Sequence, residues 1–218
     1  MEKHTSVWMI VPQTNLHVGN ESIVNFSVID KAIQRDVTTG IPCINSSSLK
    51  GAIKEYLENK QFENIKELFG STKADKNNSQ KGSALFFDAT LLAIPEQRVG
   101  ENSSYKLVYS KQEVDNFLAK AKTLGAKDFT LDTSKWEESK KFNSLCGDDN
   151  LPIIARNCLE NGESTNLWYE QVLPSQSVLA TIIQTYNAED LDILNGAIVQ
   201  IGANATIGYG YCKFIKLS

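Results

Sequence analysis

Five consecutive apolar residues near the start of the chain, Val7 to Val11, constrain the fold more than any other segment. An apolar run without alternation suits a β-strand that is covered on both faces. Further along, apolar runs of this kind alternate with segments of helical periodicity, such as Leu49, Ile53 and Leu57. We therefore predict an α+β fold with a ferredoxin-like antiparallel sheet and helices on one face. Composition alone leaves another α+β arrangement open.

The same patterns predict the remaining elements. Amphipathic spacing predicts helices through residues 49–57, 62–69, 114–121 and 187–201. Apolar runs predict strands at residues 84–94, closed by Pro95, and at 178–186 and 207–217. We expect Asp88, a lone carboxylate within the run at 84–94, to be buried and either capped or paired.

Residues 126–166 form the least regular part of the chain. Within it, Asn161-Gly162 separates two apolar stretches at 153–155 and 167–169, which is the pattern of a β-hairpin that projects from the body. We predict a single domain over residues 1–218, with an insertion or thumb region over about 126–170.

Composition excludes several classes of protein. The four cysteines are far apart and only two histidines occur, so neither a zinc site nor a disulfide framework is expected. No apolar run approaches the length of a membrane helix, and the start of the chain has no export signal, so we expect a cytoplasmic protein without a membrane partner. The net charge of −4 argues against strong nucleic-acid binding by one isolated copy.

Three segments place glycine, serine and single charges where a core would have aliphatic residues: residues 16–19 with 28–36, residues 44–51 and residues 201–211. In the second, the serines before Lys50 begin a helix with free N–H groups and a cation, which is a phosphate cradle. An ordinary helix cap with a solvated lysine remains the alternative. In the third, glycines allow close approach of a ligand, with Tyr209 and Tyr211 as stacking faces. A turn followed by an edge strand is equally open.

Taken in order, these segments resemble the RAMP superfamily. The matching stretches are His17-Val18-Gly19, Ile29-Asp30, Ile33-Gln34-Arg35-Asp36, Thr39-Gly40-Ile41-Pro42, Ser47-Ser48-Leu49-Lys50-Gly51 and the glycine-rich 201–210. Within the superfamily, residues 84–95 and 167–174 resemble the backbone subunits of type III-B CRISPR (Cmr) effector complexes more than those of the related Csm complexes.

The resemblance implies an RRM-like RNA-binding fold and an antiviral ribonucleoprotein. Its partners would be guide (CRISPR) RNA, target RNA, other Cmr-complex subunits and copies of itself in a filament, with the hairpin as a thumb. It implies an endoribonuclease in which Asp30 cuts the target, with His17 and Glu170 also at the catalytic site and a divalent cation, Mg or Mn, held weakly at Asp30. The RNA-binding residues would be Ser47, Ser48, Lys50, Lys54, Arg35, Gly202, Gly208, Tyr209 and Gly210.

A carboxylate also suits this chemistry on general grounds. RNA carries its own nucleophile, the 2′-hydroxyl, so an enzyme must align the nucleotide and supply a base or an ion. For single residues the plainer interpretations stay open: Asp30 in a surface ion pair with Arg35 or Lys31, and His17 or Glu170 in a structural role. For the whole chain, the alternatives are a non-catalytic RNA-binding scaffold, the Csm-type subunit, or a structural protein unrelated to RNA.

Overall fold

The structure, a computed structural model, describes residues 2–19, 29–71, 80–100 and 103–218. The helices are α1 (Ser46–Asn59), α2 (Ile65–Phe69), α3 (Lys111–Thr123) and α4 (Phe142–Leu145). The strands are β1 (His4–Pro12), β2 (Cys43–Ile44), β3 (Leu85–Phe86), β4 (Ala89–Gln97), β5 (Tyr105–Tyr109), β6 (Trp136–Glu138), β7 (Ile153–Glu160), β8 (Glu163–Gln171), β9 (Val178–Thr185), β10 (Ile198–Gln200) and β11 (Tyr211–Lys216). The predicted α+β class is confirmed.

A nine-stranded sheet organises the fold, with β1 near its centre. The main path runs β10-β11-β1-β9-β4-β5-β6, while β2 pairs with β4 and β3 pairs with β9. All pairs are antiparallel except β5 with β6. Since β1 is paired on both edges and its residues Val7, Trp8 and Ile10 are fully buried, the opening apolar run is a central strand.

The two long helices cover opposite faces of this sheet. Trp8 and Ile10 of β1 lie in one buried cluster with Leu49 of α1. Val7 points the other way, into a second cluster with Phe117 of α3. The prediction of helices on one face is therefore wrong. The physical reason is that successive side chains of a strand alternate between faces, so an unbroken apolar run requires cover on both.

The start of α1 is capped from a distant segment. Asn45 occupies the N-cap position without a side-chain capping bond, and the N–H of Ser46 donates to Asp88 Oδ1 at 2.6 Å. Asp88 is exposed in a break between β3 and β4, so the expectation of a cap is confirmed and that of burial is wrong. β4 also continues through Pro95, where only β5 pairs with it, because proline is tolerated where one edge is free.

β7 and β8 form a separate two-stranded hairpin, as the Asn-Gly pair predicts. Asn161 and Gly162 both have positive φ, 52° and 86°, the conformation that a tight hairpin turn demands. Most of the hairpin is exposed, but its root is not: Glu170 and Gln171 at the end of β8 are buried.

The predicted helix over 187–201 is wrong. One 3₁₀ turn at Asp192–Leu194 is followed by β10, which adds to β11 at the edge of the sheet. Gly196, at φ 80°, ends the turn and donates its N–H to Phe214 in β11. The final strand is also shorter than predicted, since a 3₁₀ turn at Ala205–Ile207 precedes it. None of the helices in the described ranges is long and apolar enough to cross a membrane.

Candidate functional site

The loop that carries Asp30 is tied to the root of the hairpin by backbone hydrogen bonds. The N–H groups of Asp30 and Lys31 each donate to the carbonyl of Tyr169 at 3.1 Å. The N–H of Gln171 donates back to the carbonyl of Lys31 at 2.9 Å. This short parallel pairing places Lys31 beside Glu170 of β8. The loop that carries Asp30 is therefore held against the root of the hairpin.

The Asp30 side chain is exposed but oriented. Its Oδ2 accepts a hydrogen bond from the N–H of Tyr169 at 2.7 Å. No other bond to this carboxylate is found within the described part of the chain. One oxygen is therefore anchored, while the carboxylate as a whole faces solvent at the root of the hairpin.

Glu170, next in sequence to Tyr169, is the centre of a polar cluster. It is 1% exposed. Its two oxygens accept from Lys31 Nζ at 3.2 Å, Arg156 Nε at 3.1 Å, Trp168 Nε1 at 2.8 Å and Asn204 Nδ2 at 2.8 Å. These donors belong to the Asp30 loop, both hairpin strands and the glycine-rich loop, so one carboxylate joins all three segments.

The environment of Glu170 keeps it ionised. Burial alone raises the pKa of the carboxyl, but the hydrogen bonds from Trp168, Arg156 and Lys31 outweigh burial and lower the pKa to about 2. A carboxylate with so low a pKa and four donors does not exchange protons near neutral pH. These contacts favour the structural interpretation of Glu170, which the sequence left open beside the catalytic one.

His17 is buried, at 3% exposure, and supports the glycine-rich loop. Its Nδ1 lies 2.7 Å from the carbonyl oxygen of Gln171, which requires a proton on Nδ1. Its own carbonyl accepts from the N–H of Ala203 at 2.9 Å. A Cβ on Gly202 would lie 2.2 Å from that carbonyl, so a side chain there is excluded. These contacts favour the structural interpretation of His17.

The glycine-rich loop packs mainly on the protein itself. Gly210, at φ 77°, would place a Cβ 2.0 Å from the carbonyl of Ile201, so its close approach, like that of Gly202, is internal. Gly208, at φ 84°, faces open space and alone among the three keeps room for a ligand. The ring of Tyr209 is covered by the Arg156 guanidinium, 4.9 Å from its centroid.

Lys50 lines an open groove at the start of α1. The groove has a volume of about 370 Å³ and includes Ser46, Ser47 and the segment 84–87. Lys50 forms no ion pair with any residue that the structure describes, so its charge is available to an anion. The Asp88 carboxylate already accepts the N–H of Ser46, the first of α1, so Lys50 and Ser47 are the groups of this groove that remain candidates for binding an anion.

The structure assigns internal contacts to the other predicted RNA-binding side chains. Lys54 pairs with Glu58 at 3.6 Å along α1. Arg35 lies 2.8 Å from Asp148 and donates to the carbonyl of Cys146 at 2.7 Å, which holds residues 146–148 against the Asp30 loop.

Sequence reasoning gave no role to several residues that build the site. Arg156 and Asn204 bind Glu170, and nothing in their local sequence signals this. The buried Gln171 donates through Nε2 to the carbonyl of Asp148 at 3.1 Å. Gln34 and Ser48 are joined by a 3.1 Å hydrogen bond. Gln34 lies in one of the stretches that resemble the RAMP superfamily, but the sequence predicts no function for it.

The described side chains do not form a metal centre of their own. No group of three or more histidine, cysteine or acidic residues is placed to hold an ion anywhere in residues 2–19, 29–71, 80–100 and 103–218. Asp30 offers a single carboxylate, and the oxygens of Glu170 are taken by four donors. A divalent cation usually takes six or more oxygen ligands, so this donor set does not fit an ion held by the protein alone.

Comparison with known proteins places these features in a family. The RAMP superfamily profile matches residues 10–213. The chain is 25% identical over 274 residues to the CRISPR system Cmr endoribonuclease Cmr4 of Pyrococcus furiosus, covering 92% of this chain and 91% of that protein. It is 32% identical over 191 residues to the CRISPR system CMR subunit Cmr4 of Saccharolobus solfataricus, covering 80% of this chain and 58% of that protein.

Solved structures share the fold. A chain of the type III-B Cmr-beta complex bound to cognate target RNA superimposes with a TM-score of 0.78 at 20% identity, covering 98% of this chain and 97% of that one. Oligomeric Cmr4 from Pyrococcus furiosus gives a TM-score of 0.70 at 18% identity, covering 100% and 98%. The similarity therefore spans the sheet, the hairpin and the loops described above.

Proposed function

Because the chain belongs to the RAMP superfamily, we propose that it is a backbone subunit of a type III-B CRISPR ribonucleoprotein that binds guide RNA and cuts paired target RNA at Asp30. Both curated relatives are Cmr4 proteins, which favours this assignment over the Csm type. The strand order β11-β1-β9-β4, with α1 between β1 and β4, supports the ferredoxin-like interpretation of the sheet. The exposed hairpin supports a thumb role.

The proposed activity belongs to an assembly. The net charge of −4 disfavours tight RNA binding by one copy, whereas sites shared between adjacent copies gather more cationic groups. That a similar protein, Cmr4 of Pyrococcus furiosus, is oligomeric supports a filament of copies. Target RNA and neighbouring Cmr subunits are proposed as partners on the same basis.

A single observation carries the cutting role: the Asp30 carboxylate is exposed and aimed by the Tyr169 N–H at the root of the hairpin. In the proposed reaction it accepts the proton of a target 2′-hydroxyl, whose oxygen then attacks the adjacent phosphorus. The new O–P bond forms as the bond to the 5′-oxygen breaks, and that oxygen takes a proton from solvent. The products are a 2′,3′-cyclic phosphate and a 5′-hydroxyl.

A divalent cation stays a proposal separate from this step. Since the described side chains do not fit an ion held by protein alone, a Mg²⁺ or Mn²⁺ ion would reach Asp30 with RNA phosphates as further ligands. Bound there, it would supply charge neutralisation at the phosphate.

The test replaces Asp30 by asparagine in the complex reconstituted with guide RNA. Asparagine keeps an oxygen for the Tyr169 N–H but removes the base, so the loop is retained while cutting falls at least about 100-fold. Denaturing gels of labelled target measure cutting, and a filter assay measures target binding, which is expected to be unchanged. The matched control is Asp132→Asn, an exposed aspartate that likewise accepts a backbone N–H, from Ser134 at 2.9 Å. Wild-type cutting by Asp30→Asn refutes the proposal.

A non-catalytic scaffold is the second candidate, favoured by one specific observation. Beside Asp30, the two other predicted catalytic groups are committed to structure: Glu170 is saturated with donors and His17 is buried. A scaffold would bind target in the wild-type complex without producing fragments. Regularly spaced fragments that disappear in Asp30→Asn exclude it.

A further inference from the structure

Gln34, four residues after Asp30, is a buried amide at a junction of three segments. It is 8% exposed. Its Nε2 donates to the carbonyl of Gly19 at 3.2 Å and to Ser48 Oγ at 3.1 Å. Its Oε1 accepts from the N–H of Asn45 at 2.8 Å. The orientation of the amide is fixed, because a carbonyl can only accept and a backbone N–H can only donate.

The backbone N–H and the backbone carbonyl of Gln34 are both hydrogen-bonded as well. Its N–H donates to the carbonyl of Val18 at 2.9 Å, and its carbonyl accepts from Cys43 at 3.0 Å. The backbone of Gln34 thus already joins the loop to Val18 and to β2. The side chain adds a bond to Gly19, next to Val18, and a connection that these backbone bonds do not make, to the start of α1 at Asn45 and Ser48.

This connection spans the two functional ends of the proposed site. One end is the loop that carries Asp30, and the other is the start of α1 with Lys50 and the groove beside it. Because the target strand is base-paired with the guide, the residues that hold the guide also fix the position of the target. The position of the phosphate at the Asp30 carboxylate therefore depends on the separation between these two ends.

We propose that Gln34 is a positioning residue that sets the register between the guide-binding start of α1 and the cutting carboxylate of Asp30. The proposal rests on the proposed function above. In this role Gln34 itself touches neither RNA nor the reacting atoms. Since in-line attack is sensitive to displacements of about 1 Å, loosening the connection slows cutting without releasing RNA.

The experiment compares Gln34→Met with a matched control in the reconstituted complex. Methionine keeps the approximate shape of glutamine and removes all three hydrogen bonds. The control is Gln184→Met, since Gln184 Nε2 also joins two segments, donating to the Leu124 carbonyl at 2.8 Å and Thr5 Oγ1 at 3.1 Å. Guide and target affinities are expected to stay within about twofold. The cutting rate at saturating target is expected to fall about 10- to 100-fold for Gln34→Met alone.

A merely structural residue would give a different result. Both methionine variants would then lower the melting temperature, and the cutting rate per bound target would stay at the wild-type value, which overturns the proposal. Gln34→Glu is the second variant, because it keeps the acceptor for Asn45 and loses both donors. If the complex that carries Gln34→Met does not assemble, the cutting rate per bound target of Gln34→Glu tests the positioning role. Failure of both variants to assemble also overturns the positioning role.

Asp30→Asn, prepared in parallel, separates this inference from the proposed function. If Asp30→Asn cuts normally, the proposed function fails and the role of Gln34 falls with it. If Asp30→Asn does not cut target RNA while both Gln34 variants cut it at the wild-type rate, only the positioning role is refuted.

Discussion

At the scale of single residues, environment gives two neighbouring carboxylates opposite tasks. Asp30 is exposed and accepts one hydrogen bond from a backbone N–H. Glu170 is buried and accepts four bonds from side chains of Lys31, Arg156, Trp168 and Asn204. Asp30 presents its carboxylate to solvent, whereas the carboxylate of Glu170 is occupied by donors that join three segments. Of these two carboxylates, Asp30 is therefore the one that suits the proposed role of base.

The depressed pKa of Glu170 predicts a pH-dependent contribution to stability. The ordinary pKa is 4.5 and the folded one about 2, so the contribution is complete above about pH 4.5 and is lost as the pH falls through 2. Glu170→Gln is expected to lower the free energy of unfolding at pH 7 by about 1.5–3 kcal/mol, because hydrogen bonds to a charged group are lost. Urea denaturation at pH 7 and pH 3 measures this.

The difference between wild type and Glu170→Gln should shrink at pH 3, because the unfolded chain, in which the carboxyl has its ordinary pKa of 4.5, binds a proton there while the folded carboxylate, with a pKa of about 2, is still mostly ionised. A constant difference across this range contradicts the prediction. Glu163→Gln, an exposed glutamate at the start of β8, is the matched control and is expected to change stability by less than about 0.5 kcal/mol.

Which residues meet at the site could be predicted only in part. Asp30 and Glu170 were identified by the order of motifs around them. Arg156 and Asn204 were not, because their hydrogen bonds to Glu170 depend on how the hairpin and the glycine-rich loop fold together. Gln34 shows the same limit: its partners Ser48 and Asn45 follow from tertiary placement, which no periodicity in the sequence encodes.

At the scale of elements, local signals predicted structure well where backbone conformation alone decides it. The hairpin turn is such a case, since Asn161 and Gly162 adopt the positive φ that their sequence favours. The helix predicted over 187–201 failed because its apolar spacing also fits a 3₁₀ turn followed by a strand. There, the free edge of β11 decided the outcome, and sheet pairing outweighed intrinsic propensity.

The turn therefore offers a test of the hairpin alone. At Gly162, φ is 86° and nothing lies within 4 Å of an added Cβ, so Gly162→Ala introduces backbone strain without a clash. The expected cost is about 1–2 kcal/mol, confined to β7 and β8. Hydrogen exchange of the hairpin amides should accelerate about 5- to 30-fold, while the amides of β1 and β9 exchange as before.

Gly51→Ala is the matched control for this change. Gly51 is exposed within α1 and also has open space around a new Cβ, but its φ is not positive. Alanine there is expected to stabilise the chain by about 0.5–1 kcal/mol. Unchanged exchange in the hairpin of Gly162→Ala would show that the turn does not limit its stability.

At the scale of the whole molecule, the proposed RNA contacts are gathered away from the α3 face of the sheet. The Asp30 loop, the hairpin root and the glycine-rich loop meet at Glu170, and Gln34 connects them to α1. α3 packs on the opposite face from α1. Among the described residues Lys50 has no ion-pair partner, so this net-acidic chain presents an unpaired cation at the start of α1, where the proposed guide lies.

This arrangement predicts how RNA affinity depends on assembly and salt. An isolated copy is expected to bind single-stranded RNA no more tightly than about 10⁻⁴–10⁻⁶ M at physiological salt, while the filament with its natural neighbours binds far more tightly. In the filament, Lys50→Ala should reduce the slope of log affinity against log salt by about 0.7 for each copy in contact, because one phosphate contact per copy is lost. Lys122→Ala, an exposed lysine on α3, should leave the slope unchanged. Fluorescence anisotropy across a salt series measures both variants; equal slopes would place the guide elsewhere than the start of α1.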